Sequence, residues 1–213
     1  MANLSEILVQ VNAYIDLDAT LPTGTELTTR VNYADRSVKE AASDAIFPEL
    51  RSIYHVNPSA LASVSMPAGF RELEERPAQA TGGGWSFFDV IKPYERYQKE
   101  SGDKYCYVLG NPAAGYTVVF NGLEANVTVS FDYQRFPSGF ATLTDICELP
   151  DPLYVTSKTE SYVLQSRSDD RFPIKDSEAQ RRLANMTSRS GKDPAGGVNT
   201  VRKKGASAYS IGS

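Results

Sequence analysis

Residues 126–136 read NVTVSFDYQRF. Val127, Val129, Phe131 and Tyr133 alternate with Thr128, Ser130 and Asp132, the period of two that marks an antiparallel strand with one face buried. Immediately upstream, KYCYVL (104–109) and YTVVF (116–120) read as strands too. Their connections, GNPAAG (110–115) and NGLEA (121–125), are rich in turn formers. Further back, GGGWSFFDVI (82–91) reads as a glycine loop running into a strand. ALASVSMPAGF (60–70) alternates through Leu61, Ser63, Val64 and Met66 before Pro67, as a short strand and turn. Pro93 can occupy the first turn of a short helix, PYERYQKE.

On both sides of this region the period becomes helical. Leu4, Ile7, Leu8, Val11 and Ile15 recur at spacings of three and four, and Asn3 or Ser5 can cap the start. DATLPTGT breaks the pattern with Pro22 and Gly24. A second helix is expected from about Thr25, with Leu27, Val31, Ala34, Val38, Ala41 or Ala42, and Ala45 as its apolar stripe. Arg30, Asp35, Arg36, Lys39 and Glu40 are expected on its solvated face. The alanines allow another helix to approach closely, and Pro48 ends or kinks the helix. After the strands, PDPLYVTSKTESYVLQSRS sets Leu153, Ser157, Glu160 or Ser161, and Leu164 on one side. SEAQRRLANMTSRS sets Ala179, Leu183 and Met186 at helical spacing. The fold class that follows is α+β: a helical bundle formed by residues 1–50 and 150–190, an inserted antiparallel β-region at 51–149, and an extended C-terminal arm at 191–213.

The 213 residues are 41% hydrophobic and 23% charged, enough to build a core. Net charge is −4, unevenly distributed. The arm holds Lys192, Arg202, Lys203 and Lys204 against Asp193 alone, a balance of +3 that leaves −7 for the rest. An acidic body of this kind is no bulk nucleic-acid binder. Cys106 and Cys147 sit in apolar contexts and read as buried free thiols, not a secreted disulfide framework. The start, MANLSEILVQVNAYIDL, lacks a basic leader and a long apolar run. No stretch approaches the ~20 apolar residues of a membrane span. A cytoplasmic site of synthesis is expected, and the sequons at Asn3, Asn126 and Asn185 read as chance matches.

Residue types that carry chemistry are sparse. His55 is the only histidine, so any Ser-His-Asp or Cys-His device must use it. No G-x-S-x-G elbow is present. One histidine and two isolated cysteines supply no metal-ligand cluster, and Asp169–Asp170 lacks the EF-hand spacing. Gly82, Gly83 and Gly84 are not followed by the Lys-Ser or Lys-Thr of a phosphate loop. RELEERP (71–77) offers Glu72, Glu74 and Glu75, a carboxylate set that glycan cleavage would use, but its composition is that of a solvated segment. No catalytic, metal or cofactor site is expected. The arm has a binding composition: cations at Lys192, Arg202, Lys203 and Lys204 are interspersed with the apolar anchors Val198, Val201, Tyr209 and Ile211. Such a segment suits ordering against a partner protein. Three adjacent cations would give only weak, salt-sensitive nucleic-acid binding.

The order of these pieces resembles the head-to-tail adaptor, or connector, proteins of tailed bacteriophages. RVNYADRSVKEAA (30–42) resembles the family's second helix. SMPAGFREL (65–73) is similar to its Leu-Pro-x-x-Phe turn, with Met66 in place of leucine. VSFDYQRFP (129–137) is similar to the strand end and proline of its insertion. LPDPLYVTSKTESYVLQ (149–165) and SEAQRRLANM (177–186) resemble its last two helices. The likeness spans about residues 3–190; the glycine loop at 82–84 and the long C-terminal segment depart from it. The resemblance implies a ring of twelve copies beneath the portal, with C-terminal arms gripping portal subunits and a tail or nozzle protein below. It implies a virion protein through whose channel DNA passes without specific binding, with no membrane partner.

Three other functions remain open on sequence: a tail-completion or terminator protein, an adaptor with peptidoglycan hydrolase activity through Glu72, Glu74 or Glu75, and a stand-alone glycan- or nucleic-acid-binding β-module. His55→Ala separates binding from histidine-based catalysis. Particles assembled with this variant are expected to stay infectious; loss of infectivity with normally folded, normally incorporated protein would contradict a non-catalytic role.

Overall fold

The computed structural model describes residues 2–58 and 63–190. Two helices come first, α1 (Leu4–Ile15) and α2 (Gly24–Asp44). Strands β1 (Arg51–Val56), β2 (Ser63–Ser65), β3 (Phe70–Leu73), β4 (Ala78–Thr81), β5 (Gly84–Phe87) and β6 (Asp89–Val90) follow. Then come β7 (Tyr105–Asn111), β8 (Gly115–Asn121) and β9 (Val129–Arg135), and finally helices α3 (Pro152–Ser166) and α4 (Phe172–Ser190). This is the expected α+β class, with strands between two helical halves. The segment 191–213, the expected arm, lies outside the described residues.

Each helix start has a local cause. At α1 the Asn3 side chain accepts from the Glu6 amide at 2.9 Å while the Glu6 carboxylate accepts from the Asn3 amide at 3.1 Å, a reciprocal capping box. At α3 Asp151 accepts from the Leu153 amide, and Pro152 occupies the first turn. Helix α2 begins at Gly24, with Thr23 in the cap position, slightly earlier than the sequence suggests. It ends at Asp44, and Pro48 opens a short 3-10 turn instead of kinking it.

Helix α3 is the centre of the bundle and packs against α1, α2 and α4. Tyr154, Val155, Val163 and Leu164 of α3 join Leu4, Ile7, Leu8, Val11, Ala34, Val38, Ala41 and Ala42 in one buried cluster. Ala179 and Met186 bring α4 into it. Two details of the expected faces are overturned. Leu153 is half-exposed in the first turn of α3, because burial there falls on the neighbouring Tyr154 and Val155. Arg30 is buried, not solvated, because Asn12, Asp16 and Glu26 converge on its guanidinium.

The strands form two sheets. In the first, β9 is central: β1 pairs with it along one edge, β3 and β4 along the other, and β5 continues beyond β4. The second runs β2-β8-β7-β6. All pairs are antiparallel except β6 with β7, which run parallel, a correction to the purely antiparallel expectation. The cause is the connection from β6 to β7: residues 91–104 carry the chain back, so that Tyr105 starts β7 beside Asp89 at the start of β6. A second buried cluster joins the sheets through Val64, Phe88, Cys106, Val118, Phe120, Val129 and Phe131. Phe120 meets Phe88 and Phe131 edge-on at 4.8 and 5.9 Å. The β-region therefore has its own core. The return segment after β9 packs with the helices through Phe136, Phe140, Leu143, Cys147 and Leu149.

Ala34 and Ala41 are fully buried on α2. Ala34→Leu and Ala41→Leu are expected to overpack the bundle and cost about 1–3 kcal/mol each; an unchanged thermal midpoint in both variants would contradict the close packing.

Candidate interaction surfaces

The isolated chemical groups stay isolated. His55 is exposed on edge strand β1, opposite Ser130 of β9. Cys106 lies in the β-region core and Cys147 in the bundle core, both free. Burial pushes the Cys106 thiol up to about 12 and the Cys147 thiol up to about 11, so both are protonated at neutral pH. Gly82 and Gly83 form the turn of the β4–β5 hairpin. Glu74 and Glu75 share Arg51, at 2.8 and 3.1 Å, and Glu72 faces Arg71 at 3.3 Å. Each of these carboxylates is paired with an arginine, and the Glu72 and Glu75 side chains are exposed. Asp169 closes the α3–α4 turn, where hydrogen bonds from Arg171 hold its carboxyl at about 2. Among the described residues, no group of three or more His, Cys, Asp or Glu side chains is placed to hold a metal ion. The expected partner residues Lys192, Val198, Val201, Arg202, Lys203, Lys204, Tyr209 and Ile211 lie outside the described residues.

What the structure does bring together is charge at the helix seams. At the end of the bundle where α1 finishes and α2 starts, Arg30 reaches Asn12 at 2.5 Å, Asp16, and Glu26 at 2.5 Å. Arg167 closes the same cluster from the end of α3, at 2.6 Å from Asp16 and 2.7 Å from Glu26. Two cations and two carboxylates thus tie three helices together, and the charges balance within the cluster. The hydrogen bond from Arg167, followed by that from Arg30, holds the Asp16 carboxyl below its ordinary value against the effect of burial. On the seam between α2 and α3, the Tyr162 hydroxyl donates to Glu40, and Arg36 stacks on the Tyr162 ring at 4.6 Å. On the seam between α3 and α4, Lys175 meets buried Glu160 at 2.8 Å, and Lys158 meets Asp176 at 2.8 Å.

Exposed aromatic side chains gather elsewhere, on the edges of the β-region, while exposed aliphatic ones such as Leu17 and Ile174 also lie on the helical part. On β5, Trp85 and Phe87 share one face and stand half-exposed. Register puts Phe87 beside Ala78, Ala78 beside Ser130, and Ser130 beside His55, so the outer face of this sheet has small residues in the middle and large ones at its edges. Val90, Tyr94 and Tyr97 continue the exposed apolar surface past β6. Between the strands lies an open groove of about 630 Å³, lined by Leu73, Glu74, Glu75, Arg76, Phe87, Asp89 and Val90. Periodicity and motifs do not reveal this groove, because its walls come from segments brought side by side only by the β4–β5 hairpin. Comparison with known proteins adds no name: no family model matches the chain, and no curated protein matches it.

The bundle-end cluster has a pH signature. A depressed carboxyl contributes stability that is present above its unfolded value and lost as pH falls through the folded value. Arg167→Ala is expected to bring the Asp16 carboxyl back toward its ordinary value. Urea unfolding should then show the variant less stable than the native chain near ~pH 6 and the gap shrinking as pH falls through the depressed folded value of Asp16, below which the carboxyl is protonated in both. A gap that stays constant across this range would contradict the role of Arg167.

Proposed function

We propose that this chain is a head-to-tail adaptor of a tailed bacteriophage. Copies of it dock as a closed ring of twelve beneath the portal, extend the DNA channel and present a surface to a tail or nozzle protein. The work is binding, with no bond chemistry and no cofactor, and its place is the virion neck, assembled in the host cytoplasm. The observation that carries the reading is the insertion: a β-region with its own core lies between α2 and α3 of a four-helix bundle, and a basic, apolar-studded segment follows α4. That is the order the adaptor resemblance implies.

Three physical points support it. A ring multiplies modest contacts, so each subunit needs only a small surface. An acidic chain repels the phosphate backbone, so DNA can pass without being held. Among the described residues no helix is long and apolar enough to cross a membrane.

The direct test is to mix the full chain with a portal and examine the product by negative-stain microscopy; rings seated under the portal are expected, and free monomers beside bare portals would overturn the reading. The arm is the expected grip. Extended, its 23 residues reach ~75 Å at about 3.3 Å each, far enough to lie along a neighbouring subunit. Deleting 191–213 is expected to leave native circular dichroism but abolish portal attachment. Reversing the charge of Arg202, Lys203 and Lys204 should weaken attachment less, and mainly at low salt. Attachment of the truncated chain as strong as that of the full chain would remove the arm from the mechanism.

A further inference from the structure

We infer that the groove between Leu73–Arg76 and Phe87–Val90 receives the basic segment 198–204 of the same chain before any partner does. The groove has an apolar wall of Leu73, Phe87 and Val90 and an acidic rim of Glu74, Glu75 and Asp89. Segment 198–204 reads VNTVRKK, two valines followed by three consecutive cations. Its composition is the complement of the groove: valines for the wall, then Arg202, Lys203 and Lys204 for the rim.

Of the rim carboxylates, Glu74 is held by Arg51 at 2.8 Å and Gln134 at 3.2 Å, while Glu75 and Asp89 are free to exchange partners. Glu75 meets Arg51 at 3.1 Å and Asp89 meets Arg76 at 3.2 Å, but all four side chains are substantially exposed. Exposed pairs contribute little and exchange readily. An arriving lysine therefore replaces one solvated pair by another, and the net gain is the apolar wall taken out of water.

The path of the chain favours the same site. Arg182 of α4 pairs with Asp151 at the start of α3, so α4 runs back along α3 and finishes at the end of the bundle where α3 begins. The β-region is attached at that same end. Arg71, at the start of β3, donates to the carbonyls of Ala42 and Ala45 at the finish of α2. Leu73–Arg76 lies only a few residues farther along β3. The seven residues from Gly191 to Gly197 span up to ~23 Å at about 3.3 Å each before the docked segment begins.

The site adds to the adaptor reading without depending on it. A parked segment leaves the bundle end and its anchors Tyr209 and Ile211 free while holding the cations on the body, and a more acidic partner surface would draw them off. Portal binding is not the readout of the test below, so failure of either idea leaves the other standing.

The test uses the full chain, dilute and at low salt, treated with a carbodiimide that joins lysine to carboxylate without a spacer. Equal parts of 15N-labelled and unlabelled chain are mixed, and cross-links are mapped by mass spectrometry. Lys203 or Lys204 is expected to join Glu74, Glu75 or Asp89 within one isotopic chain, on the order of tenfold above links to helical carboxylates such as Asp35 and Asp44. The yield should collapse in ~0.5 M salt, where the screening length falls well below that at physiological salt. Val90→Lys, at a half-exposed position, should abolish these links with unchanged circular dichroism. Links scattered over surface carboxylates in proportion to exposure, links only between heavy and light chains, or yields untouched by Val90→Lys would each overturn the inference.

Discussion

Helix α3 is enclosed by α1, α2 and α4, yet half of its buried positions are polar: Thr156, Ser157, Thr159, Glu160 and Ser161. That constraint shapes the rest of the bundle. Neighbouring helices bring matching groups to most of these positions, Thr159 being the exception. Lys175 of α4 comes to Glu160, Asp176 of α4 to Lys158 and Ser161, and Gln10 of α1 to Thr156. Burial pushes the Glu160 carboxyl up, and the contact with Lys175 opposes that shift. The serines give little bulk, so neighbouring helices can come near the α3 backbone. Apolar packing supplies the main favourable term, while the polar matches select one register among many.

The β-region depends on the bundle through two arginines. Arg71 donates to carbonyls at the C-terminus of α2, where a cation also complements the helix dipole. Arg135, at the finish of β9, makes a bidentate pair with Glu148 at 2.8 and 3.1 Å, and the Ser138 amide adds to the same carboxylate. The Phe136 amide donates to Gly69 at 2.6 Å, which ties the entrance of β3 to the exit of β9. Gly69 has φ +80, a left-handed conformation that favours glycine at this crossing. Both strand ends are thus fixed to helical carbonyls or to the return segment, so the orientation of the insertion is set by side chains of its own strands.

Much of this was legible in sequence. The apolar stripes of α1 and α4, the alanine face of α2 and the alternation in β9 depend on periodicity, which burial enforces directly. Strands β1 and β3 were not legible. RSIYHV exposes Arg51, Ile53 and His55 and only half-buries the residues between them, so its alternation carries little contrast. FREL is only four residues long and runs into a charged stretch. Each becomes a strand because β9 offers a free edge, a tertiary cause that no local window contains. Arg30 misled for a related reason: its buried state depends on Asn12 and Asp16 arriving from α1, and only Glu26 is on its own helix. The groove is the extreme case, since its two walls are joined only by hairpin pairing.

Exposed aromatic side chains distinguish the two halves. The helical half matches most of its charges internally, as at Asp16–Arg30–Glu26–Arg167. The β-half leaves Ile53, Trp85, Phe87, Val90, Tyr94 and Tyr97 in water. Aromatic side chains lose little rotamer freedom when they dock, which makes them effective contact residues. The edges that carry them are ill suited to strand addition: β5 has four residues, β6 has two, and Arg76 lies over the Phe87 ring at 5.6 Å. The β5 and β6 edges are therefore better suited to contact through side chains than to continuation of a sheet. A body whose helices pair most of their charges and whose β-edges expose aromatic side chains is suited to meet partners through the insertion.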